Sequence, residues 1–509
     1  MLLLPTSLPT LPVVVFYGSI IGLLLRVLYI SVRDARNRKI YGCELITKRR
    51  QLDPFWGLDV AFSQFRALRG HYFIPWLAKM HTNMPKTFCI NFLGVRQIYT
   101  VEPENLKALT AITWKDFGIS PIRRNSKASM PFADKGVNTV DGDDWVFSRF
   151  LIKPFFYREV YTSTDRIAPF VDHFLRLLPE DGEPFNIQPH LQRWFLDVTT
   201  KFIFGEAMDA ISHPERANIT WAMLDVLRGG RLRIQLWRCL WLLRWGWWMD
   251  AVTVVHNFMN GHIRRAYREI EEREARINAS LEVGPERQDL LWYMASNCRD
   301  EEELRSQLCL LFVPNNDTTS IFISNCLWHL ARRPDAWEKC RQEILAHGDA
   351  PLTFEALRGL KYINGVLNET HRLNPNNVTQ VRQCLKDTVL PVGGGPDGKS
   401  PIYVRKGDVV QVTKTVLHRD KDFWGADADE FRPERWMDGG LRPFWNFVPF
   451  GGGPRRCPAQ WMVTTEASYM LARLAQVYRR IEPRDPAPYT AVMRIGPSNK
   501  TGVQIALYK

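Results

Sequence analysis

The chain has 509 residues, of which 45% are hydrophobic and 24% charged. This composition excludes a disordered or fibrous protein and supplies enough apolar surface for a large core. The 67 Lys and Arg residues outnumber the 54 Asp and Glu residues, for a net charge of +13. Because the excess is spread along the chain, it favours an anionic membrane surface or an acidic partner over nucleic acid. The nine cysteines include no CxxC pair, which argues against a zinc ribbon or a secreted disulfide scaffold and favours a reducing compartment.

The amino-terminal segment predicts a membrane anchor. Residues 11–30 read LPVVVFYGSIIGLLLRVLYI, with Arg26 as their one charge, and twenty helical residues span about 30 Å, the thickness of a hydrocarbon core. Basic residues follow at 33, 36, 38 and 39, so the positive-inside rule leaves the remaining chain in the cytoplasm. We expect a single-pass anchor in residues 1–32 and a basic connector in 33–60. A cleaved signal peptide and a buried core helix are the alternatives, but neither a basic n-region nor a cleavage site accompanies the apolar run.

The remaining chain has the pattern of one mainly α domain with a small β-rich region. The alternating run at 87–100 predicts a hairpin. Helical periodicity covers most of 142–373, with clear helices at 254–277, 301–331 and 335–346. Strand signals occupy 378–413, and a last helix is expected at 460–477. No repeat or low-complexity linker interrupts this order, so we predict one catalytic domain over 61–509 rather than three domains.

One glycine-rich segment satisfies a nucleotide-binding pattern that its surroundings contradict. GGGPDGKS at 393–400 matches GxxxxGK[ST], which binds phosphate only when a strand precedes the glycines and a helix follows them. Strand formers follow at 402–404 and 409–412. A plain hairpin turn is therefore the better interpretation.

The segment FGGGPRRCPA at 450–459 points to a reactive thiolate ahead of a helix. The glycines let the backbone approach a flat cofactor, and Arg455 is placed to meet an anionic group. Helix N–H groups stabilise a thiolate at Cys457, and a thiolate on haem iron favours O–O cleavage. A glycine-rich turn with a buried structural cysteine is the alternative.

This segment resembles the F-x-x-G-x-R-x-C-x-G motif of the cytochrome P-450 superfamily of haem-thiolate monooxygenases, with Ala459 in place of the last glycine. ETHR at 369–372 is similar to the family's E-x-x-R, and Glu and Arg at this spacing share a helix face. Within FRPERW at 431–436, Arg435 matches the arginine that completes the ion network with Glu369 and Arg372.

The resemblance implies a cytochrome P-450 fold that holds haem b, with Cys457 as the axial ligand of the iron. It implies that the other haem contacts, several of them to the propionates, are Phe450, Arg455, Arg382 and the W-x-x-x-R pair Trp145 and Arg149. Arginine suits such carboxylates because its guanidinium donates a fork of hydrogen bonds.

The helix around VPNNDTT at 313–319 lines up with the family's A/G-G-x-D/E-T-T. The alignment implies that Asp317 and Thr318 relay protons during oxygen activation, with Asp317 linked to solvent. A local hydrogen bond to the preceding turn is the alternative for such a threonine. Two residues depart from the pattern: Pro314 promotes a kink, and Asn315 could narrow the pocket or contact a ligand.

The family's activity implies insertion of one oxygen atom from O2 into a hydrophobic substrate of fatty-acyl, alkane, polyketide or terpenoid type. Electrons would come from NADPH through cytochrome P-450 reductase docked on the cysteine side, at the endoplasmic reticulum membrane. The anchor and the 393–404 segment look most like the fungal alkane and fatty-acid hydroxylases. Asn315, Asn377 and Thr379 are the candidates for lining the substrate, and their polarity, with that of Asn376, suggests an oxygenated ligand.

Two other functions stay open. A haem-thiolate isomerase or dehydratase would need neither oxygen nor reductase, and a non-catalytic membrane-tethered binding protein would keep the fold alone. A tryptophan cluster has two interpretations as well, membrane contact at a substrate entrance or packing inside the helical domain. Its members are Trp237, Trp241, Trp245, Trp247 and Trp248.

Overall fold

The computed structural model describes residues 11–242, 245–437 and 439–509, without the side chains at 11–13, 20, 23, 24, 26, 241 and 242. The helices are α1 (Leu11–Ile40), α2 (Leu58–Arg69), α3 (Phe73–His81), α4 (Pro103–Lys107), α5 (Gly142–Ile152), α6 (Arg158–Thr162), α7 (Ala168–Arg176), α8 (Ile187–Phe204), α9 (Ile219–Gln235), α10 (Gly246–Asn278), α11 (Leu290–Asn297), α12 (Glu301–Ala331), α13 (Pro334–His347), α14 (Phe354–Gly359), α15 (Lys361–Leu373), α16 (Lys414–Leu417), α17 (Lys421–Trp424) and α18 (Gln460–Val477). The strands are β1 (Thr87–Phe92), β2 (Val95–Thr100), β3 (Phe117–Gly118), β4 (Phe185–Asn186), β5 (Thr379–Cys384), β6 (Thr388–Gly394), β7 (Ser400–Val404), β8 (Val409–Thr413), β9 (Arg480–Pro483), β10 (Ala491–Met493), β11 (Pro497–Asn499) and β12 (Gln504–Tyr508).

Helix α12 is the central element of the helical part. Asp300 caps it, because its side chain accepts hydrogen bonds from the backbone N–H groups of Glu302 and Glu303. Beyond its acidic first turn the helix is buried on most sides, as expected for a helix that other helices surround. It packs against α8, α10, α15 and α18, so its residues face the interior of the domain.

A five-stranded sheet in the order β1-β2-β8-β5-β3 lies beside these helices. Strand β2 pairs with β8 in parallel, whereas β5 pairs with β8 antiparallel and sets Arg382 opposite Val410. Strands β10 and β11 form a separate hairpin whose tip is residues 494–496. These two elements position most of the side chains discussed below.

The predicted secondary structure is confirmed at its main points. The hairpin expected at 87–100 is β1–β2, and the segment at 393–400 is the turn between antiparallel β6 and β7, so it is not a phosphate loop. The helices expected at 301–331 and 460–477 have the predicted bounds. The chain thus has the predicted mainly helical architecture with small sheets.

Helix α1 continues eight residues beyond the expected end of the anchor at residue 32, into the segment expected to be a connector. Its last turns contact β7 and its neighbourhood, where Asn37 Nδ2 donates to the hydroxyl of Tyr403 at 2.6 Å and Asp34 lies 3.5 Å from Arg405. Within the described ranges we find no helix that is both long and apolar enough to cross a membrane. Several side chains of the expected anchor, including Arg26, lie outside the described part, so the anchor stays a prediction.

Members of the tryptophan cluster differ in exposure, so neither membrane contact nor packing inside the domain describes all of them. Trp248 is buried, with its indole N–H donating to the carbonyl of Val226 at 3.2 Å and Arg233 stacked on its ring. Trp247 is 37% exposed and lies 5.9 Å from the ring of Trp245. The side chain of Trp241 lies outside the described part.

The predicted ion network forms around a fully buried carboxylate. Glu369 accepts two hydrogen bonds from Arg372, at 2.8 and 2.9 Å, and a third from Arg435 Nε at 3.0 Å. Trp436 Nε1 and the backbone N–H of Arg432 donate to the same carboxylate, each at 2.9 Å. Burial opposes ionisation, yet these donors hold the pKa of Glu369 below its usual range.

We expect Glu369→Gln to lower the free energy of unfolding by about 3–5 kcal/mol, because it removes the carboxylate that pairs with buried Arg372 and leaves buried Arg435 with Asp427 alone, at 3.3 Å. Urea unfolding followed by tryptophan fluorescence measures the loss. The lowered pKa means that the parent holds this stability above the ordinary glutamate range and loses it as the pH falls through the folded-state value. The variant lacks that part of the acid dependence.

Glu355→Gln is the matched control, since Glu355 meets Arg158 at 3.6 Å on the open surface. An exposed pair of this kind contributes less than about 1 kcal/mol. Equal losses in the two variants would show that the buried network does not stabilise the fold.

Candidate active site around Cys457

The loop before α18 holds Cys457 in a tight turn. The Cys457 N–H donates to the carbonyl of Phe450 at 3.0 Å, which closes residues 450–457 into one loop. A Cβ at Gly453 would lie 1.9 Å from the carbonyl oxygen of Thr110, and one at Gly452 would overlap the Trp445 ring. Those two glycines therefore serve packing, which corrects the expectation that all three approach a cofactor.

Gly451 is the glycine of this loop that faces open space. Its backbone is in the left-handed region at φ 76°, and the one atom within 4 Å of an added Cβ is Gln380 Oε1, at 3.9 Å. That amide oxygen is itself buried without a hydrogen-bond partner among the described residues. The space beside Gly451 is thus open and bordered by an unsatisfied polar atom.

Cationic groups surround the Cys457 sulfur. Burial raises the pKa of the thiol, and the backbone N–H of Ala459 with the charges of Arg149, Lys414 and Arg456 acts in the opposite direction. Lys414 is itself fully buried, and desolvation followed by repulsion from Arg382 lowers its pKa to about 7. No sequence motif pointed to Lys414. A thiolate formed here would be the anion that these cations stabilise.

Three arginines lie close together at one edge of this space. Arg455 Nη2 meets Asp141 Oδ1 at 2.6 Å, and its guanidinium stacks 4.8 Å from the ring centre of Trp145. Burial lowers the pKa of Arg382 to about 9 and of Arg123 to about 10, and the charge of Arg455 is the next cause for both. Arg455 is the one of the three that contacts Asp141, and the charge of Asp141 also acts on Arg382 and Arg123.

These residues fit the two propionates of a haem. Arg455 Nε and Nη1 are buried with no hydrogen-bond partner in the described part of the chain, so one arginine has donors to spare. Subtracting one Asp141 charge from three arginine charges leaves two positive charges, which two carboxylates would balance. The expected contacts Arg455, Arg382 and Trp145 are brought together here, and Arg123 and Asp141 are additions that no motif signalled.

Arg149 lies one helical turn beyond Trp145 on α5. Burial lowers its pKa, and the nearby Cys457 acts against that shift. Its expected contact with a haem propionate stays a prediction.

A row of aromatic rings links the Cys457 loop to the central helix. The His371 ring stacks on Phe322 of α12 at 3.7 Å and meets the edge of Phe450 at 4.8 Å. Burial lowers the pKa of His371 to about 3, so the ring is neutral. Phe322 lies four residues after Thr318 and on the same face of α12. The side chain of Thr318, one of the two expected proton-relay residues, therefore faces this region.

Asp317 and Thr318 are neighbours on α12, and their expected role in a proton relay stays a prediction. Asp317 is buried, and burial raises its pKa although the positive charges of Arg494 and Arg231 oppose the shift. The Thr318 hydroxyl makes no hydrogen bond to any described residue, so it is not used by the preceding helical turn; the Thr318 carbonyl accepts from Asn376 Nδ2 at 3.1 Å. Pro314 lies inside α12 without ending it.

The three substrate-lining candidates are not brought together. The Asn315 amide points to α8, where it lies 3.4 Å from Thr199 Oγ1, which does not support a contact with a ligand. Asn377 is exposed to solvent. Thr379 begins β5 and, by strand alternation, faces away from Gln380 and Arg382.

Comparison with known proteins agrees with this geometry. The cytochrome P-450 family model matches residues 69–493. The chain is 68% identical over 478 residues to the cytochrome P-450 monooxygenase iliC of Neonectria sp. (strain DH2), covering 94% of each chain. It is 63% identical over 504 residues to the cytochrome P-450 monooxygenase iccC of Talaromyces variabilis, covering 99% of this chain and all of that one. With Cys457, the buried Glu369–Arg372–Arg435 network and these relatives in agreement, the chain belongs to the cytochrome P-450 family of haem-thiolate monooxygenases.

Proposed function

We propose that this enzyme inserts one oxygen atom from O2 into an apolar organic substrate, with electrons from NADPH delivered by a flavoprotein reductase. One observation carries the proposal over a haem-thiolate isomerase or dehydratase. A free threonine hydroxyl, Thr318, stands next to a buried, readily protonated acid, Asp317, on the central helix. An isomerase needs no such proton supply, whereas splitting O2 into an inserted atom and a water molecule requires two protons and two electrons.

Haem binding and proton transfer are assigned to different residues of the chain. Haem bound through Cys457 supplies the activation of O2 and the oxidising power. Arg123, Arg382 and Arg455 hold the two carboxylates of the cofactor. Asp317 keeps a proton available because burial favours its neutral form, and the Thr318 hydroxyl passes that proton on, since a hydroxyl both accepts and donates.

The reductase would dock on the side that carries Cys457. Arg456, next to the cysteine, is exposed, and the chain as a whole carries an excess of 13 positive charges. An acidic partner would be drawn to such a surface.

The proposed location is the endoplasmic reticulum membrane, with the catalytic domain in the cytoplasm. Support comes from α1, whose described apolar side chains are mostly exposed, among them Phe16, Ile21, Leu25 and Leu28, each more than half exposed. Lipid would remove this apolar surface from water. The basic residues that follow would stay on the cytoplasmic side.

The axial-ligand assignment is tested by Cys457→Ser. We expect the membrane-expressed parent to give the red-shifted Soret band of thiolate-ligated haem in the reduced carbon-monoxide difference spectrum, and the variant to lose it because a hydroxyl replaces the sulfur ligand. Cys43→Ser, at a partly buried cysteine outside the site, should leave the band unchanged. A Cys457→Ser protein that keeps the band would refute the assignment.

The proton relay is tested by Thr318→Ala. With reductase, NADPH and a substrate that the parent oxidises, product per NADPH should fall by about tenfold or more, because the relay loses its alcohol. NADPH oxidation should continue and release hydrogen peroxide instead. Thr319→Ala is the matched control, since its fully buried hydroxyl lies on another face of α12. Equal effects of both variants would contradict the relay, and a parent that converts substrate without NADPH would favour the isomerase.

Membrane attachment is tested by deleting residues 1–32. This deletion keeps Asp34 and Asn37, whose contacts with Arg405 and Tyr403 tie α1 to the domain. We expect the shortened chain to leave the membrane fraction while retaining its carbon-monoxide difference spectrum. Full retention of the shortened chain in washed membranes would show that residues 1–32 are not the anchor.

A further inference from the structure

One arginine contacts Asp317, and a second lies on the same hairpin tip. Arg494 Nη1, from the tip of the β10–β11 hairpin, lies 3.3 Å from Asp317 Oδ1. Arg231, from α9, donates through Nη2 to the carbonyl of Ile495 on the same tip at 3.1 Å, and its charge acts on Asp317 without direct contact. Three parts of the chain that are distant in sequence therefore bring two guanidinium groups to one hairpin tip next to Asp317.

The positive charge at this place is not balanced. Arg231 has no carboxylate within 4 Å among the residues described, and Asp317 is the one carboxylate that meets Arg494. Burial favours the neutral form of Asp317 and lowers the pKa of Arg231 to about 10. The group carries one excess positive charge when Asp317 is ionised and two when it is protonated.

Arg231 lacks the carboxylate partner that arginines stabilising the fold have. Arg372 meets Glu369 at 2.8 Å, and Arg96 forms a short ion pair with Asp408. Arg494 is partly exposed to solvent and borders a polar surface groove of about 290 Å³. A partly buried cation without a counter-ion is unfavourable, so the placement of Arg231 is understandable if a ligand supplies the anion.

The position of the hairpin tip indicates that this ligand is the substrate. Gly496 packs on Asn376, where an added Cβ would lie 2.8 Å from the amide oxygen. Asn376 in turn donates to the carbonyl of Thr318 at 3.1 Å. The two arginines are therefore joined through one side chain to the residue expected to act in oxygen activation.

Asp317, its neighbour Asn316 and the hairpin contact Asn376 each have an unsatisfied acceptor. Asp317 Oδ2, Asn316 Oδ1 and Asn376 Oδ1 are buried and, among the described residues, have no hydrogen-bond partner. Such atoms accept hydrogen bonds from N–H or O–H groups, and leaving them unmade is costly. A ligand that paired with both arginines and with these acceptors would carry an anionic oxygen group and at least one polar hydrogen.

We propose that Arg231 and Arg494 bind the anionic oxygen group of an acidic, otherwise apolar substrate next to Asp317 and Thr318. This assignment rests on the proposed function, which it narrows from apolar compounds in general to organic acids. Arg231 is then a specificity-determining residue and Arg494 both binds the anion and positions Asp317.

The test compares dodecanoate with its uncharged methyl ester as probes for the haem-loaded, full-length chain. Equilibrium binding is measured for the parent, Arg231→Met and Arg231→Lys, without reductase or NADPH. We expect the parent to prefer dodecanoate, Arg231→Met to lose at least about tenfold in affinity for it with little change for the ester, and Arg231→Lys to restore part of the preference.

Thermal unfolding with and without dodecanoate gives a second readout. Saturating dodecanoate should raise the midpoint of the parent because the ligand binds the folded state, and it should raise the midpoint of Arg231→Met less because that variant binds dodecanoate more weakly. Arg233→Met, two residues away on α9, is the matched control. Arg233 donates to the carbonyls of Lys127, Ala128 and Met130, so its loss should lower the midpoint and affect both probes equally.

The proposal is overturned if the parent does not bind dodecanoate more tightly than the ester, if Arg231→Met weakens both probes alike, or if dodecanoate raises the unfolding midpoint of Arg231→Met as much as that of the parent. A different experimental result would refute the proposed function. A parent that binds dodecanoate selectively yet shows no NADPH-dependent oxidation of any acid would keep the anion site and refute the monooxygenase assignment.

Discussion

The Glu369 carboxylate is the constraint on which the site's geometry depends. It accepts hydrogen bonds from Arg372, Arg435, Trp436 and the backbone of Arg432, so it fixes α15 to the segment around 432–436. An ion removed so completely from water is tolerated only when every lone pair has a donor. Because α15 also carries the histidine that stacks between α12 and the cysteine loop, the network sets the spacing between the two halves of the active site.

The described part of the protein holds partly buried positive charge that its own carboxylates do not neutralise. One group, at residues 123, 382 and 455, is proposed to bind the carboxylates of the cofactor, and another, at residues 231 and 494, is the anion site proposed near Asp317. In each place the folded chain retains repulsion that a bound anion relieves. Ligands that bind only the folded state add their binding free energy to its stability. Bound cofactor and bound substrate should therefore each raise the free energy of unfolding.

The motifs with local spacing were predictable from sequence, and the long-range partners were not. Glu369 and Arg372 share a helix face, and Cys457 precedes a helix, so short-range rules placed them correctly. Arg123, Asp141 and Arg494 reach the site through tertiary packing, which no periodicity reveals. Asn315 was expected at the ligand because of its sequence neighbours, but helical rotation turns its amide to Thr199 on α8. The extension of α1 to Ile40 was missed because its basic residues read as a connector.

The contact between Gly452 and Trp445 has a consequence for the divergence of related sequences. A methyl group at position 452 would lie 2.3 Å from the indole ring, although the backbone there, at φ −138°, suits any residue. Space rather than conformation therefore restricts the position. A larger residue could become established at 452 only in a lineage where 445 had first become smaller. The two positions should thus covary among relatives, and an indole at 445 should occur together with glycine at 452.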